Sequence, residues 1–139
     1  MSRRRRAREV VMQLLYRDDL NGVGVGDGSS DQQFLSRRLN RNAGLISFAD
    51  TILQGVRQNR ESIDEKLEST TVNWSLARMA VTDRNVMRIA AWEILFTETP
   101  PRVAINEAIE LSKRYGDENS SRFVNGVLDK LMQEAHTES

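Results

Sequence analysis

The helical character of this protein is clearest in the stretch Val103-Ala-Ile-Asn-Glu-Ala-Ile-Glu-Leu-Ser-Lys-Arg-Tyr115. Its apolar residues recur at intervals of three and four, which places them along one side of an α-helix. Thr99-Pro100-Pro101 precedes the stretch and Gly116 follows it, and both are typical of helix boundaries. The sequence therefore predicts a helix over residues 103–115.

The same helical period occurs along most of the chain. Further helices are predicted over residues 3–20, about 45–56, about 62–67, about 82–94 and about 120–131. Ser62 and Glu65 have the spacing of a capping box, which indicates a helix start. No segment alternates apolar and polar side chains as a half-buried strand does. The prediction is an all-α protein of six or seven helices.

Length and charge indicate one ordinary globular unit. A chain of 139 residues predicts a single domain over residues 1–139. Within it, the glycine-rich segment 21–30 is predicted to be a flexible loop, because each glycine adds backbone freedom, and residues 134–139 a frayed tail. Lys plus Arg and Asp plus Glu each total 20. A nucleic-acid role must therefore depend on where charges lie rather than on net charge.

Several classes of function are poorly supported. The chain has no cysteine, which excludes disulfides and thiolate metal sites, and its one histidine, His136, lies in the predicted tail. Glycines in the segment 22–28 lack the preceding strand and the Lys-Ser/Thr of a phosphate-binding loop. No apolar run reaches the ~20 residues of a membrane span. We expect a cytoplasmic protein that is not an enzyme and has no metal site or cofactor.

Five arginines in the first eight residues are the strongest sign of binding: Arg3, Arg4, Arg5, Arg6 and Arg8. Guanidinium groups fork onto phosphates and stack on bases, so such a cluster is typical of a nucleic-acid surface. It is equally compatible with a solvated tail. The cluster leaves both interpretations open.

Helical phase adds an aromatic residue to this cluster. The apolar stripe of the first helix consists of Ala7, Val10, Val11, Leu14 and Leu15. At 100° per residue Tyr16 lies almost opposite this stripe, and the same outer face is predicted for Arg5, Glu9 and Met12. A solvent-facing ring beside an arginine is a stacking platform for a base. The alternative is a tyrosine that packs against a neighbouring helix.

The last predicted helix has a similar arrangement. Phe123 lies about a quarter-turn from the apolar stripe of that helix, between Arg122 and Asn125. Aromatic faces, arginine planes and side-chain amides are the groups that read unstacked bases. Phe123 is therefore either a second stacking ring or a plug at the edge of the core.

Four segments stand out for their order and spacing. They are Arg5-Arg-Ala-Arg-Glu9 with Tyr16, Val86-Met-Arg-Ile-Ala-Ala-Trp-Glu-Ile94, Val103-Ala-Ile-Asn-Glu-Ala-Ile-Glu-Leu111 with Lys113 and Tyr115-Gly116, and Arg122-Phe-Val-Asn-Gly-Val-Leu-Asp-Lys130. Together they resemble the NusB family. The likeness covers the first helix and about residues 82–131, whereas residues 31–75 match only in pattern. The two motifs nearest the carboxyl end are the most specific.

The resemblance implies two small helical bundles packed across each other. It also implies a transcription antitermination factor that binds the boxA element of single-stranded nascent RNA together with ribosomal protein NusE. The complex would join transcribing RNA polymerase and suppress premature termination, notably in ribosomal RNA operons. A homodimer is also compatible with the family. Two alternatives stay open: a non-catalytic protein-interaction adaptor, and an RNA-binding module of the ribosomal RNA methyltransferase type.

The resemblance also assigns roles to residues. The RNA-binding residues it implies, with Arg122 included as a neighbour, are Arg4, Arg5, Arg8, Tyr16, Arg122, Phe123 and Asn125. Asp83 falls at an acidic position of the family's NusE surface. Asn119 stands where the family often has an acid. Because asparagine carries no charge, the repulsion between a carboxylate and phosphate is absent at this position. No catalytic residue is implied.

Overall fold

The computed structural model describes residues 2–22, 28–71 and 75–138, and its regular structure there is entirely helical. The α-helices are α1 (Arg3–Asn21), α2 (Gly28–Arg38), α3 (Ala43–Gln58), α4 (Arg60–Ser69), α5 (Val81–Phe96), α6 (Pro101–Tyr115) and α7 (Glu118–Glu138). A short 3-10 turn, Leu76–Arg78, precedes α5. The all-α prediction is confirmed.

Helix α2 is the one helix that the sequence analysis does not predict. It is largely polar, so it lacks the strong apolar stripe by which the other helices are found. Leu35 in α2 and Leu39 just after it are nonetheless almost completely buried. Packing of these two leucines stabilises the helix, as tertiary contacts commonly do for weak helical sequences.

Two details of helix boundaries also differ from the predictions. Helix α4 begins at Arg60, so Ser62 and Glu65 lie inside it and the capping-box prediction is wrong. Gly116 follows α6 as predicted, but its φ of −126° is not left-handed. A Cβ on Gly116 would lie 2.5 Å from Ser120 Oγ, so close approach to Ser120 requires the glycine.

Two other segments bear on the predicted domain. Of the predicted loop 21–30, residues 23–27 lie outside the described residues. Helix α7 continues to Glu138 and so includes residues 134–138, for which the sequence predicts a tail. The chain divides into two compact units, Met1–Gln58 and Asn59–Ser139. The single domain over residues 1–139 stays a prediction.

Unit 1 is a bundle of α1, α2 and α3, in which α3 packs against both other helices. Ala49, Ile52, Leu53 and Val56 form the buried face of α3, with the predicted spacing of three and four. Leu14 of α1 is equally buried. Burial of this face stabilises the unit by roughly 25 cal/mol per Å² of apolar surface removed from water.

Unit 2 is built on α5, α6 and α7, which pack against one another, and α4 packs on α5. Its largest fully buried side chains are Ile63, Leu67, Met87, Ile105, Leu111, Leu128 and Leu131. Helix α6 starts at Pro101, where a missing backbone N–H costs nothing. Over the described ranges, no helix has both the length and the apolar character to cross a membrane. The same residues contain no group of three or more His, Cys, Asp or Glu able to hold a metal ion.

Candidate nucleic-acid interface

The residues predicted to bind RNA fall on one helix of each unit. Arg4, Arg5, Arg8 and Tyr16 lie on α1 and are called the α1 surface below. Arg122, Phe123 and Asn125 lie on α7 and are called the α7 surface. Each surface is described separately.

The arginine-rich start of α1 is helical rather than a solvated tail. Ser2 caps the helix, because its Oγ accepts a hydrogen bond of 3.1 Å from the Arg5 N–H. Arg4 is exposed and Arg5 is half-buried. The backbone that carries these cations is therefore ordered, and helical spacing sets the directions in which they project.

Arg4 and Arg8 share one aromatic ring. Their guanidinium carbons lie 5.0 Å and 5.2 Å from the centroid of the Phe48 ring, within the range of a cation–π contact. Arg8 is only 5% exposed, although the resemblance assigns it to the RNA surface. Its side chain therefore packs into the protein, whereas that of Arg4 is open to solvent.

The outer face predicted for α1 is only partly correct. Tyr16 is 38% exposed, as its helical phase predicts. Glu9 and Met12 are 1% and 2% exposed, so their placement on the outer face is wrong. Residues 7–12 are all buried, which means that this part of α1 is covered around its whole circumference. The carboxylate of Glu9 forms an ion pair with Arg6, which compensates part of the cost of burying it.

The α7 surface contains one ring and two exposed polar side chains. Arg122 is 72% exposed and its Nη2 donates to Glu118 Oε1 at 2.9 Å, a contact worth little energy at such exposure. Asn125, one helical turn further on, is also exposed. Phe123 is half-buried, so the structure presents part of its ring and packs the rest.

Phe123 borders a cavity of about 330 Å³ in unit 2. The other lining residues are Arg78, Met79, Ala80, Asp83, Asp117, Asn119 and Ser120. The lining thus combines apolar side chains with two carboxylates, an amide, a hydroxyl and one guanidinium, and a few polar groups in an apolar pocket are typical of a binding site.

Asp83, the predicted NusE contact, is 7% exposed, and its Oδ1 accepts no hydrogen bond from the described residues. Burial raises the pKa of Asp83. A hydrogen bond with Ser120 opposes this shift in pKa, and the charge of Asp117 adds to it. Asp83 therefore carries unsatisfied acceptor capacity, which a cationic or hydrogen-bond-donating partner would satisfy.

Comparison with known proteins identifies the family. A family model described as the NusB family matches residues 5–133. The chain belongs to the NusB family. It is 46% identical over 130 residues to the transcription antitermination protein NusB of Anaeromyxobacter dehalogenans, covering 94% of this chain and 90% of that relative.

Solved NusB structures have the same fold. NusB of T. maritima superposes with a TM-score of 0.81 at 37% identity, covering 94% of this chain and 91% of that one. A structure of antitermination factors NusB and NusE in complex with dsRNA superposes with a TM-score of 0.84 at 27% identity. That match covers 96% of this chain and 98% of the other. The NusB-like fold class is therefore confirmed.

Sequence reasoning missed some residues around these NusB-family surfaces. Phe48 lies within the helix predicted over about residues 45–56, and its contact with two arginines has no local signal in the sequence. Asp117 and Ser120 line the same cavity as Asp83, although both lie more than thirty positions after Asp83 in the sequence. The only nearby sequence signal is Gly116, which was predicted to end α6 and so marks the turn next to Asp117 and Ser120.

Proposed function

We propose that this NusB-family protein acts in transcription antitermination by binding a boxA-type single-stranded RNA together with ribosomal protein NusE. The complex joins transcribing RNA polymerase and suppresses premature termination, especially in ribosomal RNA operons. The observation that carries the proposal is the 46% identity to a transcription antitermination protein over 90% of that protein's length. Bacterial RNA is transcribed in the cytoplasm, so this function would be performed there.

The α1 surface supports the RNA-binding part of the proposal. Arg4 and Tyr16 are both exposed, on a helix whose first turn is capped. An exposed guanidinium pairs with a phosphate, and an exposed ring stacks with a base for ~1–3 kcal/mol. Arg5 adds charge at the same end of the helix. Arg8, being buried, acts in this scheme mainly through its contact with Phe48.

The α7 surface supplies the second set of proposed RNA contacts. Arg122 and Asn125 are exposed on either side of the half-buried Phe123 ring. This places a cation, an aromatic face and an amide within one turn of a helix. Such groups read unstacked bases, which single-stranded RNA offers and a duplex does not.

Asp83 is the proposed contact for NusE. Its carboxylate is desolvated and has an oxygen without a hydrogen bond from the described residues. A lysine or arginine of the partner would form a strong ion pair there. Folding has already removed Asp83 from water, so binding does not bear that desolvation cost again. The proposed role requires binding alone and no bond-making chemistry.

The experiment is a fluorescence-anisotropy titration of a boxA-type RNA with the full-length protein, with and without NusE. Wild type is compared with the double variant Tyr16→Ala/Phe123→Ala. We expect NusE-enhanced binding that prefers boxA over a scrambled RNA and that falls at least tenfold in the double variant, since each ring contributes about 1–3 kcal/mol.

Phe96→Ala is the matched control, because Phe96 is an exposed aromatic residue outside both surfaces. It should bind RNA as wild type does. The same boxA sequence as a duplex tests the strand preference directly. Binding that is indifferent to sequence and to both rings would contradict the proposal and favour a protein-interaction adaptor.

A further inference from the structure

A second cavity lies in unit 1, where the start of α1 meets the turn between α2 and α3. Its volume is about 410 Å³, and its lining includes the guanidinium-bearing residues Arg3, Arg6 and Arg38. The amide side chains of Asn40 and Asn42 also line it, and none of the lining residues is acidic. An enclosure with several cationic donors and no carboxylate suits an anion with several oxygens.

Two of the three arginines are held in place by neighbouring groups. The guanidinium carbon of Arg38 lies 5.0 Å from the centroid of the Phe34 ring. Arg6 forms an ion pair with the buried carboxylate of Glu9. A guanidinium that is already positioned loses less conformational freedom when it binds a ligand. These contacts therefore position both side chains. Because the Glu9 carboxylate offsets the charge of Arg6, Arg3 and Arg38 are the main cationic donors of the cavity.

The turn that closes the cavity has an unusual backbone. Asn40 and Arg41 have φ angles of 53° and 58°, the only positive values at non-glycine positions in the described parts of the chain. The Arg41 N–H donates to the Ser36 carbonyl at 2.8 Å, which ends α2. Asparagine tolerates this conformation, but arginine adopts it rarely. Left-handed residues commonly end a helix, and here the turn that contains them brings Asn40 and Asn42 into the lining of the cavity.

We propose that this cavity binds a phosphate of the RNA backbone and so extends the α1 surface onto the segment 37–42. Arg3 and Arg6 lie in the first two turns of α1, as Arg4 and Arg5 do, so the cavity and the basic end of the α1 surface share one segment of the helix. Guanidinium forks and amide N–H groups would donate to the phosphate oxygens. The inference rests on the proposed RNA-binding function and adds a further subsite to it.

The test measures RNA affinity of the full-length protein over a series of salt concentrations. The probe is a fluorescein-labelled single-stranded RNA that contains a boxA element with its flanking nucleotides. For Arg38→Gln we expect about tenfold weaker binding at low salt, as for loss of a charged hydrogen bond. The slope of log affinity against log salt should become shallower by about 0.7, the contribution of one phosphate.

Arg37→Gln is the matched control, because Arg37 is exposed on the same helix turn and does not line the cavity. It should change affinity and slope much less than Arg38→Gln. Arg38→Lys should keep the slope, since the charge is retained. Circular dichroism must show the same helix content in each variant.

Three outcomes would overturn the inference. If wild type binds the RNA but Arg37→Gln and Arg38→Gln behave alike, the arginines act only as a diffuse field. If Arg38→Gln weakens NusE binding and leaves RNA binding unchanged, the cavity receives a protein. If wild type has no preference for boxA and binding ignores Tyr16 and Phe123, the proposed function fails and the subsite fails with it.

Discussion

The guanidinium of Arg57 on α3 forms a two-point ion pair with the carboxylate of Asp18 on α1, with Nε–Oδ2 and Nη2–Oδ1 distances of 2.8 Å and 2.9 Å. Its Nη1 donates to Asp31 Oδ2 on α2 at 2.8 Å, and Arg17 also pairs with Asp31. Burial disfavours the charge on Arg57, but hydrogen bonds and charges from both carboxylates outweigh it and hold its pKa above the ordinary value. One arginine thus joins all three helices of unit 1.

Replacing Arg57 by methionine should destabilise the protein strongly. The change leaves the carboxylates of Asp18 and Asp31, which are 5% and 12% exposed, without their main partner. Removing one member of a buried ion pair costs about 3–5 kcal/mol. Urea denaturation followed by circular dichroism measures this loss. Arg37→Met is the exposed control, and an equal, small effect of both variants would contradict the expectation.

Truncation of Leu128 to alanine should destabilise unit 2. Leu128 is fully buried, and removal of a buried leucine side chain costs about 2–5 kcal/mol, depending on how far the cavity collapses. Thermal and urea unfolding provide the measurement. Asn125→Ala on the same helix removes an exposed side chain and should leave the free energy of unfolding nearly unchanged. A similar stability of both variants would show that Leu128 does not belong to the core.

Asp83→Asn should raise the free energy of unfolding at neutral pH. The folded protein raises the pKa of Asp83 above its ordinary value of 3.8, so the native state binds the proton more tightly than the unfolded chain does. The stability contributed by this proton is fully present below the unfolded pKa and is lost as pH rises through the folded value. Asparagine keeps a neutral group at every pH.

Urea midpoints of wild type and Asp83→Asn, measured from about pH 4 to neutrality, test this linkage. The difference between the two proteins should grow as pH rises. If Asp83 is the partner contact, titration with NusE should show weaker binding by the variant. The substitution would then increase stability at the expense of partner binding. A variant that is less stable at neutral pH would contradict the assigned direction.

Asn119→Asp should weaken RNA binding modestly. Asn119 is exposed and lines the cavity that Phe123 borders, so a carboxylate there would repel a phosphate near the α7 surface. The dissociation constant from a filter-binding assay is the readout. Asn106→Asp, an exposed change on α6, controls for net charge. Unchanged or tighter binding by Asn119→Asp would count against a role for this position.

Arg4→Gln and Arg8→Gln should separate binding from stability. Arg4 also contacts the Phe48 ring, but it is exposed, where such a contact is worth only about 0.5–1 kcal/mol. Its loss should therefore mainly reduce RNA affinity and the salt dependence of binding, with a small effect on unfolding. Arg8 is buried against Phe48, and its loss should also lower the free energy of unfolding, with the ring contact alone worth about 0.5–2 kcal/mol. Paired anisotropy and urea experiments distinguish the two. Identical behaviour of both variants would refute this division.

Local periodicity was sufficient to predict most of the fold. Periodicity predicts helices near α1, α3, α4, α5, α6 and α7, because the interactions that shape a helix join residues only three or four apart. The exposure of Tyr16 followed from the same period. Periodicity does not predict helix α2, because the stability of this helix comes from burial of Leu35 and Leu39 rather than from its own composition.

The amino-acid sequence alone was thus enough to assign the all-α class, the family motifs and the solvent-facing ring of Tyr16. Packing of the helices determined the burial of Arg8 and Glu9, the bridge from Arg57 to Asp18, and the basic cavity that Arg38 lines. Arg57 and Asp18 are 39 positions apart. No local pattern encodes such a pair, because it forms only when separate helices meet and water is removed from between their charges.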